Sequence, residues 1–291
     1  MQITAAMVKA LREKTGVGMM ECKKFLAEAG GDMERAVELL RKSGQARADR
    51  KGGRAAAEGV VLMETGDDGA VVMLEANCET DFVAKDAQFT GFCRKAARAA
   101  LENAPADIEA LAQLDIGGAS VEAARLELVS RIGENIQLRR FLRVTPAGER
   151  CGAYLHGTRI GVVVEMDGGD DGLARDVAMH IAASRPLCLS EDDAPAGALE
   201  REREILTAQA GQTGKPADIV ARIVEGRLQK YLQEIALLKQ PFVKDEDQSV
   251  GQLLKRHSAT VRGFHRYEVG EGIEKKKENF AEEVMAQARS G

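Results

Sequence analysis

The chain has 291 residues, no tryptophan, and only 4% aromatics. With a net charge of −5, that scarcity argues against stacking platforms and broad phosphate-binding faces, so no direct nucleic-acid partner is expected. No apolar run approaches bilayer-spanning length, and Lys9 and Arg12 interrupt the start before a signal-peptide core can form. The expected location is the cytoplasm, with no membrane partner. Cys22, Cys78, Cys93, Cys151 and Cys188 are odd in number and widely separated, with no Cys-x-x-Cys pair. They read as buried thiols in a reducing compartment. His156, His180, His257 and His265 lack metal-ligand spacing, and His180, in an alanine-rich stretch, reads as a core residue. No Gly-x-Ser-x-Gly motif occurs. Gly214-Lys215 is close to a phosphate-binding loop, but Pro216 replaces the hydroxyl residue and Gln209 stands where the first glycine belongs. The expectation is no cofactor, no metal and no bond-making active site.

What is present describes a globular protein: 44% hydrophobic and 30% charged residues, enough for about two domains. Charge is uneven. Residues 1–57 carry twelve Lys or Arg against seven Asp or Glu, leaving −10 on the rest. A basic N-terminal segment on an acidic body points to contact with an acidic surface.

Thr4 is placed to cap a helix carrying Met7, Val8 and Leu11 on one face. Gly16 and Gly18 break it, Met20–Ala29 forms a second, Gly30-Gly31 stops that, and Asp32 caps a third. Residues 1–45 thus read as a three-helix domain resembling the ubiquitin-associated type, and 46–57 as a linker. Met19 and Met20 follow the glycine break, where flexible thioethers suit either an adaptable binding surface or gap-filling in a small core.

Two later segments look like copies. Gly59–Glu64 and Val71–Glu75 form a hairpin followed by a helix from Asp86; Gly152–His156 and Ile160–Glu165 form another, followed by a helix over Leu173–Ala183. Each closes on an alternating strand, Ile136–Val144 and Val261–Val269, after a helical insert. The order β-β-α-insert-β occurs twice, so the expected fold class is α+β. The expected subdomains are 58–148 and 149–272, the second with a helical hairpin insertion at about 190–238. Residues 273–291 are expected as a terminal helical module, with an amphipathic helix over 278–286. The hairpin serves either packing against the body or self-association as a homodimer.

Between the second apolar run and the helix at Asp86 stands Glu79-Thr80-Asp81-Phe82-Val83-Ala84-Lys85. Spacing supports two readings of Phe82: a contact group presented on a short loop, or a core phenylalanine behind a helix N-cap. Three functions stay open on residues alone. They are a protein that acts by contact, an unrecognised two-domain enzyme using Asp81, Lys85 or His156, and an adaptor built on the three-helix domain.

Thr80-Asp81-Phe82-Val83-Ala84-Lys85-Asp86 resembles the characteristic motif of the bacterial elongation factor Ts family. So, in the family's order, do Leu11–Lys24, Gly133-Glu134-Asn135-Ile136, His156–Val162, Gln240-Pro241-Phe242-Val243 and Val269–Lys275. The resemblance implies a guanine nucleotide exchange factor, without bond-making chemistry, that releases magnesium and GDP from elongation factor Tu. It implies partner contact and magnesium dislocation by Thr80, Asp81, Phe82 and Val83. Further contacts are implied at Met19, Met20, Lys23 and His156, together with a coiled-coil module at the hairpin.

Overall fold

The computed structural model describes residues 3–146, 148–212 and 216–274. Thr4 opens α1 (Ala5–Thr15), its hydroxyl oxygen accepting from the Met7 N–H at 3.3 Å. Gly16, at φ 69°, ends the helix in the left-handed region, and α2 (Met19–Glu28) follows. Asp32 then caps α3 (Met33–Lys51), accepting from the Arg35 N–H at 3.0 Å. Val8, Leu11, Phe25, Leu26 and Leu40 bring the three helices onto one small core. The helix α3 runs through Lys51, into the segment expected as linker. Residues 45–51 contain no glycine or proline and are mostly strong helix formers, so the helix continues to the Gly52-Gly53 pair without an apolar stripe.

The first strand unit follows in the order β1 (Glu58–Thr65), β2 (Val71–Cys78), α4 (Asp81–Ala84), α5 (Ala87–Asn103), α6 (Ile108–Gln113), α7 (Val121–Ile132) and β3 (Gln137–Val144), with strand order β1-β2-β3. Every residue of β2 is buried, which explains its continuous apolar run. Asp86 caps α5, accepting from the Gln88 and Phe89 N–H groups at 2.8 and 3.1 Å. Phe89, Phe92, Cys93, Ala96 and Ala100 make its buried face.

The second repeat runs β4 (Arg150–His156), β5 (Ile160–Asp167), α8 (Asp171–Ser184), α9 (Ala196–Gly211), α10 (Ala217–Ile235), β6 (Pro241–Phe242), β7 (Asp245–Ser249), α11 (Val250–Arg256) and β8 (Thr260–Glu268). Strands β4 and β5 are antiparallel, with Arg150 opposite Met166 and His156 opposite Ile160, and the sheet order is β4-β5-β8. Val162, Val164 and Met166 pack with Leu173, Val177 and Ile181 of α8. The fit is close: a Cβ on Gly152 would lie 2.6 Å from the Ala174 carbonyl oxygen. The helical insert is the antiparallel pair α9 and α10, joined through Leu206, Ala210, Val224 and Leu228. The two-residue β6 was too short to expect from periodicity. The protein is α+β, with the order β-β-α-insert-β twice.

The chain divides into two compact units. The first holds residues 1–62, 74–142 and the chain from 268; the second holds 63–73 and 143–267. The terminal helix expected over 278–286 lies outside the described residues. No described helix is long and apolar enough to cross a membrane.

Candidate functional site

The two readings of Phe82 separate here. The core phenylalanine is Phe89, fully buried on α5, whereas Phe82 is 82% exposed. The segment is a single helical turn rather than a loop. Thr80, in extended backbone, caps α4 by accepting from the Val83 N–H at 3.4 Å. Val83 is buried beneath the turn, so Thr80 and Val83 anchor it while Asp81 and Phe82 face outward. Lys85 reaches back one turn to Asp81, Nζ to Oδ2 at 2.8 Å.

Four helical residues do not hold themselves, because one turn of hydrogen bonds does not repay nucleation. The support comes from Glu134, at the bend between α7 and β3. Its Oε2 accepts from the Glu79 and Thr80 N–H groups, both at 3.0 Å, and its Oε1 accepts from the Thr80 hydroxyl at 2.7 Å. In return, Glu79 Oε1 accepts from the Asn135 N–H at 2.6 Å, while Arg54 stands 3.4 Å from Glu79 Oε2. Each carboxylate thus holds backbone of the other's segment, Glu134 at Glu79 and Thr80 and Glu79 at Asn135. The Cys78 thiol donates to the Thr80 carbonyl at 3.1 Å, which engages Thr80 at its N–H, hydroxyl and carbonyl. Burial, with the Glu134 charge adding to it, pushes the Cys78 pKa up to about 12. That thiol is a protonated donor, not a nucleophile.

Glu75 is a second fixture that its place in an apolar run concealed. Fully buried on β2, it takes Arg139 Nη1 at 3.0 Å, Arg140 Nε at 2.6 Å and the Gly270 N–H at 2.9 Å. The residues after β8 are thereby tied to the first unit.

Met19 and Met20, 51% and 80% exposed, open α2, and Lys23 follows on the same side at helical spacing. The core face of α2 is Cys22, Phe25 and Leu26. Neither methionine is a gap-filler. His156 is exposed at the end of β4 in the second unit, its Nδ1 3.3 Å from the Tyr154 hydroxyl. The residues singled out in the sequence therefore form two local groups in the first unit, on α4 and α2, and one histidine in the second.

Chemistry elsewhere is sparse. Among the described residues, no three His, Cys, Asp or Glu side chains gather to hold a metal ion. A cavity of about 310 Å³ is lined by Val121, Glu122, Arg125 and Asn135, but Arg125 is committed to Glu122 and to the Ile136 carbonyl. All five cysteines are free; Cys151 alone is only partly buried. His180 is a satisfied core residue. Val243 donates its N–H to Nδ1 at 3.2 Å, which fixes the proton on Nε2 for Gln240 Oε1 at 2.9 Å. Burial holds its pKa below the ordinary value of 6.5.

Residues 79–271 match the model of the family described as Elongation factor TS. The chain is 59% identical over 291 residues to Elongation factor Ts of Thioalkalivibrio sulfidiphilus, covering 99% of both chains. The protein of the same name from Alkalilimnicola ehrlichii is 57% identical over 290 residues, 99% of both. That of Methylococcus capsulatus is 55% identical over 292 residues, the whole of both.

Proposed function

The chain belongs to the elongation factor Ts family and is a translation elongation factor, and from that premise we propose that it is the guanine nucleotide exchange factor for elongation factor Tu in the cytoplasm. In this reading it binds the GDP-loaded partner, expels magnesium and GDP, and leaves the site open for GTP, making and breaking no covalent bond itself. Nucleic acid, membrane and cofactor have no part in the step.

A GTPase that holds GDP with nanomolar affinity does so with about 12 kcal/mol. An exchange factor must prefer the nucleotide-free partner, and by reciprocity GDP weakens the factor by the same coupling energy. A ten-thousandfold acceleration requires contacts that lower the release barrier by about 5.4 kcal/mol. Burying one phenylalanine gives roughly 1.5–3 kcal/mol. Phe82 therefore supplies part, and the rest comes from other surfaces: Met19, Met20 and Lys23 on α2, His156, and the chain after Gly272. Phe82 acts as a wedge beside the partner's magnesium, with Asp81 perturbing the ion's ligands. Displacement suits Asp81 better than capture, since one exposed carboxylate is a poor magnesium site beside one bridged by phosphates.

The observation that carries this reading is a large apolar ring held out in solvent by a turn whose backbone is fixed. Stopped-flow release of a fluorescent GDP from elongation factor Tu tests it. Phe82→Ala should slow release about ten- to a hundredfold, the kinetic equivalent of one buried ring. An unchanged rate removes the wedge. The exposed Ile205 and Ile219 of the α9–α10 hairpin favour a second use, self-association as a homodimer; a concentration-independent monomer in sedimentation would dismiss it.

A further inference from the structure

We propose that Glu134 is a positioning residue for nucleotide release: its carboxylate sets the direction of the Phe82 ring. This inference rests on the exchange reading above and adds to it a residue that need not touch the partner.

Among the described residues, every hydrogen bond that the Glu134 carboxylate accepts comes from Glu79 or Thr80, the two residues leading into α4. The effect passes onward through one atom. The Thr80 hydroxyl has a single proton, and the 2.7 Å bond commits it to Glu134 Oε1, so a lone pair is left for the Val83 N–H. Donating to an anion also makes that oxygen a better acceptor, which couples Glu134 to the residue after Phe82. Phe82 is thus bracketed, with Thr80 held before it and Val83 held after it.

The carboxylate arrives at the right place for an identifiable reason. Gly133, at φ 88°, ends α7 in the left-handed region and donates its N–H to the Val129 carbonyl at 2.9 Å. The chain therefore turns out of the helix one residue before Glu134, and Ile136 is buried two residues later. The chain is thus fixed on both sides of Glu134. An apolar side chain here would leave α4 a one-turn helix capped by a hydroxyl free to rotate, and the ring above it would lose its preset direction. Precise presentation is what a wedge needs, because misplacement by about 1 Å costs rate out of proportion to lost contact.

The test uses the full-length chain and GDP-loaded elongation factor Tu. GDP release is followed by stopped flow as a function of chain concentration for wild type, Glu134→Ala, Glu134→Gln, Phe82→Ala and Phe82→Ala/Glu134→Ala. Glu134→Ala should lower the plateau rate about tenfold and leave the half-saturating concentration within about twofold, since docking surfaces such as α2 are untouched. In the Phe82→Ala background it should change the plateau by less than about twofold, because the ring it positions is gone. Amide exchange at Thr80 and Val83 should quicken in Glu134→Ala while that of α5 stays unchanged. Glu134→Gln keeps an oxygen for the two N–H groups but loses the acceptor for the hydroxyl, so its plateau should lie between wild type and Ala.

A Phe82→Ala that is slow beside a Glu134→Ala that is not would overturn the positioning role and leave the exchange reading standing. A further tenfold loss in the double variant would also overturn it, by showing that Glu134 acts on the whole unit. A Phe82→Ala with a normal rate would sink both. If Glu134→Ala does not fold, an unaltered plateau in Glu134→Gln is enough to reject the proposal.

Discussion

The two repeats make the same connection, sheet to helix, in different ways. In the second, β5 reaches α8 across three residues, Gly168, Gly169 and Asp170; in the first, β2 reaches α5 across eight, Glu79 to Asp86. The short joint is tight. Gly168 and Gly169 have φ of 68° and 69°, and a Cβ on Gly168 would stand 2.3 Å from the Ser258 carbonyl oxygen, at the bend between α11 and β8. Asp170 then caps α8 directly, accepting from the Leu173 N–H at 2.7 Å. In the first repeat the corresponding bend, between α7 and β3, contributes Glu134 instead, and the joint it faces carries an extra helical turn ending in an exposed ring. Three residues suffice for the architecture. The second repeat makes its joint without the added turn and without the paired carboxylates that hold it.

Five substitutions bear on that contrast. The largest loss is expected at Glu75, whose removal leaves Arg139 and Arg140 facing a buried gap. Glu75→Ala should destabilise the chain by about 3 kcal/mol in urea unfolding. Removing the partly buried Glu165 of β5 should cost less than this. Equal losses would show that both repeats rely on their strand carboxylates alike. Gly168→Ala strains a left-handed residue against backbone and should cost about 2 kcal/mol, measured the same way. A neutral result would mean that the short joint has slack.

His180 belongs to the second unit alone. Its folded pKa lies below 6.5, so on acidification the unfolded chain takes up the proton first. Its contribution is intact above pH 6.5 and is lost as pH falls from there toward the folded value, by at most about 1.4 kcal/mol per pH unit. Thermal midpoints between pH 7.5 and 5.5 should drop more steeply in the wild type than in His180→Asn, and parallel slopes would remove His180 from the acid response. The smallest change is expected where exposure is greatest. Phe82→Ala should leave stability within about 0.5 kcal/mol by calorimetry, since the ring touches little of its own chain. A larger loss would mean that the added turn matters to folding after all.

Much of this was legible in the residues, for identifiable reasons. The duplicated β-β-α order showed because each strand pair is apolar enough to read and each helix is capped by an aspartate, Asp86 or Asp170. His180 was legible as core from its alanine-rich surroundings. The helix α4 was not, because four residues are shorter than a hydrophobic period; nor was the end of α3, whose last turns have no apolar stripe to announce them. Thr80, Asp81, Phe82 and Val83 stood out as one motif, but their division into anchors and presented groups depends on which way each points. Glu134 stood out only as part of a motif. Its task depends on a bond to residues more than fifty positions earlier, and no local pattern encodes that.

The meeting of Ala57 and Gly270 has a consequence for how the chain is threaded. A Cβ on Gly270 would be 2.2 Å from the Ala57 carbonyl oxygen, so the residue just before the first strand and the second residue after the last are neighbours. The stretch between them leaves and returns at one seam, and the N-terminal helices branch from it. Cutting the chain at an exposed turn such as Gly157-Thr158 and joining the old flanks near that seam should give a circular permutant that keeps both three-stranded sheets.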